Sequence, residues 1–471
     1  MGVALTFGLA VYLRIRFSNE HYFSTLERFG IDFAVNLVTT ICNESMGYIH
    51  NVSLRWALFV EGKLHYNSNL RLLANSSESG ANSWLANLVC FLAVVLSYSS
   101  GSLWLVKSTS SSMELGSQPM SAVQPLACYT YVGGLFVQAM ITLFAMSTAH
   151  NAPTFSCSPF DTAVAAISRT TTKSLQNPLR RRPGRSMMGV DRLKDQTEPT
   201  FPKNAQASLM SSKKHRARSI VVAGWLIVGL GAVWAIVTHL IISHGWVLLR
   251  TTAASSTNGS MIGNAVNFLN STMDSQNAGG WDEALIIHAS PMEDKRFSWI
   301  LLYIAALQIP ITFGTHLCEL IVNSFRDEAM WRKAGRPVGV PRKSPLPPIA
   351  VITSPPAAFL FLFKAAIHAL YAQAFTVDTR LVMRPLWIGA LTAGGFLMAT
   401  ILTLMACTGR RGPQPSCYEN LQTLVDLVDR WPTKESNRMY WGHVPTSDGT
   451  NCAGIMTTAP EQSIKMHEKY S

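Results

Sequence analysis

The chain has 471 residues, of which 48% are apolar and only 14% charged, with a mean hydropathy of +0.18. Soluble domains carry roughly 25% charged residues, and here the apolar residues gather in long runs, which excludes an ordinary soluble domain and points to lipid. The formal charge of +12 is concentrated in connecting segments, so the bilayer and its anionic headgroups are the expected partners and nucleic acid is not.

In chain order, residues 2–13 form a short apolar stretch. Its basic residues, Arg14 and Arg16, follow it, the reverse of a secretory signal. Met1-Gly2-Val3-Ala4-Leu5-Thr6 fits a myristoylation pattern, for which chance within a membrane helix is the simpler explanation. A second span is expected over 29–50, interrupted by Asp32, Asn36, Asn43 and Glu44. Mostly apolar runs follow at 84–106, 125–148, 219–249, 298–323 and 385–407. Each is long enough to cross roughly 30 Å of hydrocarbon at about 1.5 Å per residue. The run 355–377 is apolar but holds Lys364 and His368. The expected fold is therefore an all-α polytopic transmembrane bundle of about eight spans. Four lie in 1–148 and four in 219–407, with a disordered basic loop at 149–218 and a tail at 408–471.

Sidedness follows from the connections. Segment 149–218 carries 13 Lys/Arg against four Asp/Glu, and its run Lys213-Lys214-His215-Arg216-Ala217-Arg218 abuts a span, which places it in the cytoplasm. Segment 326–343 is also basic and lies two spans away, on the same side. Between them, 250–296 holds the sequons at Asn258 and Asn270, the glycosylation candidates expected outside. Sequons at Asn51 and Asn75 fall inside by parity, and the one at Asn43 falls within a span. Both termini are then cytoplasmic, in a protein of the plasma membrane or endomembrane system. In the tail, Leu421, Leu424, Val425, Val428 and Trp431 recur at helical spacing, giving an amphipathic helix over 421–431 that lies on the membrane surface or docks on the bundle. Cys407, beside Arg410 and Arg411 at the end of the last span, is a candidate for palmitoylation, with packing as a small apolar residue an equal alternative.

Ionisable residues in lipid cost roughly 2.5–3.5 kcal/mol each and need a reason. Gln308, Thr312, Thr315, His316, Glu319 and Asn323 share one face of the sixth span, and Lys364, His368 and Tyr371 share one face of the seventh. Glu319 and Lys364 fall at similar depth, so an ion pair is expected, with His316 one turn deeper. Small residues at packing spacing include Gly231 with Ala235, Gly389 with Ala393 and Gly395 with Ala399. Gln138 and His239 are lone polar residues expected to bond neighbouring helices. No zinc-protease, nucleotide-loop, hydrolase or dinucleotide motif occurs, the eight cysteines are scattered singly, and no enzyme, cofactor or metal is expected.

Several stretches carry a resemblance: Leu54-Arg55-Trp56 through Glu61-Gly62-Lys63-Leu64; Tyr66-Asn67-Ser68-Asn69-Leu70-Arg71-Leu72; His316-Leu317-Cys318-Glu319-Leu320-Ile321-Val322-Asn323 with Arg326-Asp327-Glu328; and Phe363-Lys364 with His368. The chain resembles a family of uncharacterised multi-spanning membrane proteins of filamentous fungi. The resemblance implies topology and no mechanism. Two functions follow as expectations: a non-enzymatic scaffold or interaction protein, or a transporter or channel for an ion, proton or small solute using the sixth and seventh spans. A dry, paired seam around His316, Glu319, Lys364 and His368 favours the first, and a water-reachable one the second.

Overall fold

Apolar runs in lipid must satisfy their backbone groups internally, and helices do so. The computed structural model describes residues 21–22, 25–103, 105–108, 120–148, 152–172, 201–211, 217–255, 273–274, 285–287, 295–343, 354–377, 381–428, 438–444 and 451–470. Among these, the elements run β1 (His21–Tyr22), α1 (Thr25–Val60), α2 (Trp84–Gly101), β2 (Leu105–Ser108), β3 (Met120–Val123), α3 (Pro125–Thr148), α4 (Pro159–Thr172), α5 (Ala217–Ser255), β4 (Met273–Asp274), β5 (Leu285–Ile287), α6 (Lys295–Ala334), β6 (Val340–Pro341), α7 (Pro355–Ala374), β7 (Phe375–Val377), β8 (Leu381–Met383), α8 (Pro385–Cys407), α9 (Leu421–Leu427), β9 (Arg438–Val444) and β10 (Cys452–Met456).

Among the described residues six helices, α2, α3, α5, α6, α7 and α8, are long and apolar enough to cross a membrane. The chain is thus a multi-pass membrane protein by its helices, with fewer qualifying helices than the eight spans expected. The stretch 2–13 lies outside the described residues. The stretch 29–50 is helical, as part of the 36-residue α1, but its polar residues keep it out of the apolar set. It is packed against α2, α3 and α7, with Asp32, Asn36, Thr39 and Thr40 buried. Outward faces of the apolar helices carry large exposed hydrophobics such as Leu230, Phe144 and Leu404, the surface that lipid covers.

Close helix approach rests on small residues. A Cβ at Gly231 would stand 3.0 Å from Thr392 Oγ1, and one at Gly395 3.4 Å from Val228, so α5 and α8 meet where the sequence places them. Gly389 faces open space instead. The tightest approach is one the spacing did not single out: a Cβ at Gly134 on α3 would lie 2.9 Å from the Ala93 carbonyl oxygen of α2. Gln138 bonds across the same interface, donating to Ser97 Oγ at 2.8 Å. His239 stands exposed on α5.

The connections sort by end. One end carries the antiparallel sheets β1-β3-β2 and β4-β5-β8-β7, which touch through β2 and β7. At the opposite end, the sheet β10-β9-β6, α4, α9 and the segment after α1 build one core around Leu54, Trp56, Phe160, Trp331, Leu424 and Trp441. The expectation of a disordered loop over 149–218 therefore fails for 152–172, where α4 buries Phe160, Ala163 and Ala166, and for 201–211, where Leu209 is buried. Its remaining residues lie outside the described ones. The tail helix docks instead of lying on a surface: α9 is seven residues long, is capped by Asn420 accepting from Thr423 N, and buries Leu421, Leu424, Val425 and Leu427.

Candidate functional site in a ring of four helices

Helices α1, α2, α6 and α7 form a closed ring, each touching the next. Steps of three and four residues put Asp32, Asn36, Thr40 and Glu44 on one face of α1, and the same spacing groups the polar residues of α6 and α7. These faces meet at the centre, where α2 adds Tyr98.

The centre has layers. In the first, Lys364 Nζ pairs at once with Glu319 of α6 and Glu44 of α1. His316 Nδ1 lies 2.8 Å from Glu319 Oε1. The lysine side chain is 3% exposed, whereas Glu44, Glu319 and His316 retain 37, 25 and 24%, so the acidic edge of the cluster opens outward while its cation is enclosed. One turn along α7, His368 stacks on the Tyr98 ring with centroids 3.6 Å apart and 13° between planes. Its Nδ1 is 2.6 Å from Gln308 Nε2, which also reaches Thr312 Oγ1 at 3.2 Å. The Tyr98 hydroxyl is 3.1 Å from Thr40 Oγ1. Nearer the strand-bearing end, Gln373 donates to Asp32 Oδ2 at 2.6 Å. Among the described residues, Asn36 Oδ1, both side-chain polar atoms of Asn43, Gln308 Oε1 and His368 Nε2 are enclosed on these faces without a hydrogen-bond partner.

Desolvating ions costs several kcal/mol each, and an ammonium held by two carboxylates recovers much of that cost for itself. It leaves the carboxylates with one negative charge more than it can balance. All four intramembrane residues singled out from sequence, His316, Glu319, Lys364 and His368, fall in this ring, and the Glu319–Lys364 pair forms. Glu44 and Tyr98 were missed as partners. Glu44 was visible only as an interruption of a span, although its spacing from Asp32, Asn36 and Thr40 marks the same face.

A second polar cluster joins the bundle to the module that the sheet β10-β9-β6, α4, α9 and the segment after α1 build at one end. Arg55, 2% exposed, donates to Asn67 O at 2.9 Å and Thr162 Oγ1 at 3.1 Å. Asn67 donates to Asp327 Oδ2 at 2.7 Å. Arg55, Asn67 and Asp327, from three separate stretches of the sequence, thus converge on this node. Glu328 accepts from the amides of Cys417 and Tyr418 at 2.9 and 3.1 Å, and Ser324 donates to Glu419 at 3.1 Å. Tyr418 and Glu419 both have positive φ, 39° and 61°, a strained bend held by these contacts. Burial, with Asp327 adding to it, pushes the Glu419 carboxyl up to about 8 against hydrogen bonds from Ser68 and Ser324 and the charge of Arg326. Burial likewise pushes the Cys417 thiol well up, while Cys407 stands exposed at the end of α8. Asn258 and Asn270 lie outside the described residues.

Comparison with protein-family models, curated proteins and solved structures finds no match to this chain.

Proposed function

We propose that this multi-pass membrane protein works through the polar centre of its four-helix ring, passing an ion, a proton or a small solute, with α1 as a further crossing shielded from lipid by its neighbours. The observation that supports this reading is the Glu44–Lys364–Glu319 cluster: ionisable groups in a bundle interior are costly and mark pathways by default, and this one has an acidic edge that is a quarter or more exposed. The reading is non-enzymatic. On it, the module end is cytoplasmic, and Arg410, Arg411 and the 213–218 run meet anionic headgroups of a plasma or endomembrane bilayer. A second reading, a scaffold or interaction protein, draws support from the near-complete burial of Lys364 and His368 and from the folded module at one end.

The test is flux. Purified protein in liposomes is offered protons, Na⁺, K⁺, Cl⁻ and a panel of small neutral and charged solutes, beside a Glu319→Gln variant. The expected result is entry of at least one probe above protein-free liposomes and a loss of that entry in the variant. No entry of any probe by folded protein overturns the pathway reading and leaves the scaffold.

A further inference from the structure

Resting on the pathway reading, we propose that the species passed is the proton, carried along the ring centre from Asp32 and Gln373 through Tyr98, His368 and Gln308 to the Glu44–Lys364–Glu319–His316 cluster.

The groups facing this line come from all four helices. Helix α1 gives Asp32, Asn36, Thr40, Asn43 and Glu44. Helix α2 gives Tyr98, and α6 gives Gln308, Thr312, His316, Cys318 and Glu319. Helix α7 gives Lys364, His368 and Gln373. Two observations single out the proton among possible cargoes. First, the line is tightly closed at His368, which is 1% exposed, with the Tyr98 ring stacked on its face at 3.6 Å and Gln308 at its Nδ1 edge at 2.6 Å. An alkali cation must exchange its hydration shell for coordinating oxygens along the way, whereas a proton needs only a continuous set of donors and acceptors. Second, the enclosed polar atoms beside that closure are not used up. With Nδ1 accepting from the Gln308 amide, His368 carries its hydrogen on Nε2, a donor without an acceptor, and Gln308 Oε1 and Asn36 Oδ1 are acceptors without a donor. Such groups cost free energy when left open in a protein interior. A transferring proton, with the water that accompanies it, supplies what they lack.

The step balances without any other reactant. A proton from water at the strand-bearing end adds to one ring nitrogen of His368, and a proton leaves the other, so the imidazole ends neutral with its tautomer exchanged. The released proton converts one carboxylate of the cluster, Glu44 or Glu319, to its acid. Lys364 stays an ammonium throughout and keeps the second carboxylate ionised, so the cluster alternates between net charge −1 and 0. Loss of that proton to water on the module side, through the exposed edge that includes His316, resets the cluster, and a half-turn of the His368 ring returns a bare nitrogen to the entry side for the next proton.

The experiment uses the full chain in liposomes loaded with a pH-sensitive dye, with a K⁺ diffusion potential set by valinomycin, beside parallel tracer arms for Na⁺ and Cl⁻. Two variants probe the line. His368→Phe keeps a ring to stack on Tyr98 and removes both nitrogens. His368→Gln keeps polar atoms and serves if the first does not fold, as judged by gel filtration and melting temperature. Wild type is expected to acidify its lumen under an inward driving force. Removing a relay group costs about 100-fold in rate, and each folded variant is expected to fall by that order. Unchanged proton entry in either folded variant overturns the assignment. Tracer entry of Na⁺ or Cl⁻ without proton entry also overturns it while leaving the pathway standing, and no entry of any probe removes both.

Discussion

Lys364 is one cation between two carboxylates, and that stoichiometry sets the consequences of changing each residue. Lys364→Met leaves Glu44 and Glu319 without a counter-charge in a low-dielectric site and should cost about 3–5 kcal/mol, as breaking a buried pair does. Glu44→Gln or Glu319→Gln alone leaves the lysine a partner and should cost less. The double Glu variant should lose more than the sum of the singles, because only then is Lys364 stranded. Melting of the purified variants measures this, and strictly additive losses would show that the lysine is not shared. The same arithmetic applies to Glu319→Ala combined with Lys364→Met: Glu44 stays uncompensated, so this double variant should regain only part of the stability that Lys364→Met alone loses. At the module, Glu419 gives a pH dependence of defined sign. Its carboxyl is held up at about 8 in the folded chain, against an ordinary value of 4.5. Its neutral form is what the fold favours, so its contribution is complete below pH 4.5 and is lost as pH rises through 8. Proteolysis of the 413–428 segment should quicken between pH 6 and pH 9 in wild type and stay flatter in Glu419→Gln. Equal pH dependence in both would dissociate Glu419 from the docking of the tail.

Helix by helix, the packing offers a matched pair of adjacent glycines on α3. A Cβ at Gly134 meets the backbone of α2 at 2.9 Å, while one at Gly133 meets nothing within 4 Å. Gly134→Ala must push two helices apart and should destabilise by roughly 1–3 kcal/mol. Gly133→Ala should be neutral or stabilising by up to about 1 kcal/mol, from helix propensity alone. Thermal melts in one detergent compare them, and equal effects would contradict the close approach. The contrast also shows what the sequence can and cannot disclose. Long apolar runs announce α2, α3, α5, α6, α7 and α8 because lipid burial needs nothing but length and apolarity. Helix α1 is only half legible, since Asp32, Asn36 and Glu44 break its apolar run, and only its packing against α2, α3 and α7 shows where they are placed. The Glu319–Lys364 pair is readable from spacing on two helices. Tyr98 is not, because nothing distinguishes it from any other aromatic near a helix end until α7 brings His368 against it.

At the scale of the whole molecule, the module was illegible for a related reason. Its core draws on segments at 52–64, 160–166, 331–340, 417–428, 439–441 and 453–470; only 417–428 announces itself by its spacing, and nothing in the others shows that the bundle brings them together. That gathering of segments also makes sidedness testable. The strands β4 and β5, next to the sequon-bearing stretch, sit at the end opposite the module, and Asn51 and Asn75 sit on the module side. Glycosidase shifts of single Asn→Gln variants should therefore track Asn258 and Asn270 and ignore Asn51 and Asn75; a shift tracking Asn75 would break this topology. The central claim is that the ring centre is a pathway and not merely a seam holding helices in register, and one variant separates the two: Glu44→Gln, Glu319→Gln and Lys364→Met combined. Removing all three charges abolishes the desolvation cost along with the pairing, so the protein should fold about as well as wild type or better. The deciding measurement is proton and ion entry into liposomes carrying this triple variant at matched protein content. The account predicts a folded, monodisperse protein whose entry rate drops to that of protein-free liposomes; a folded triple variant that transports as wild type does would contradict it.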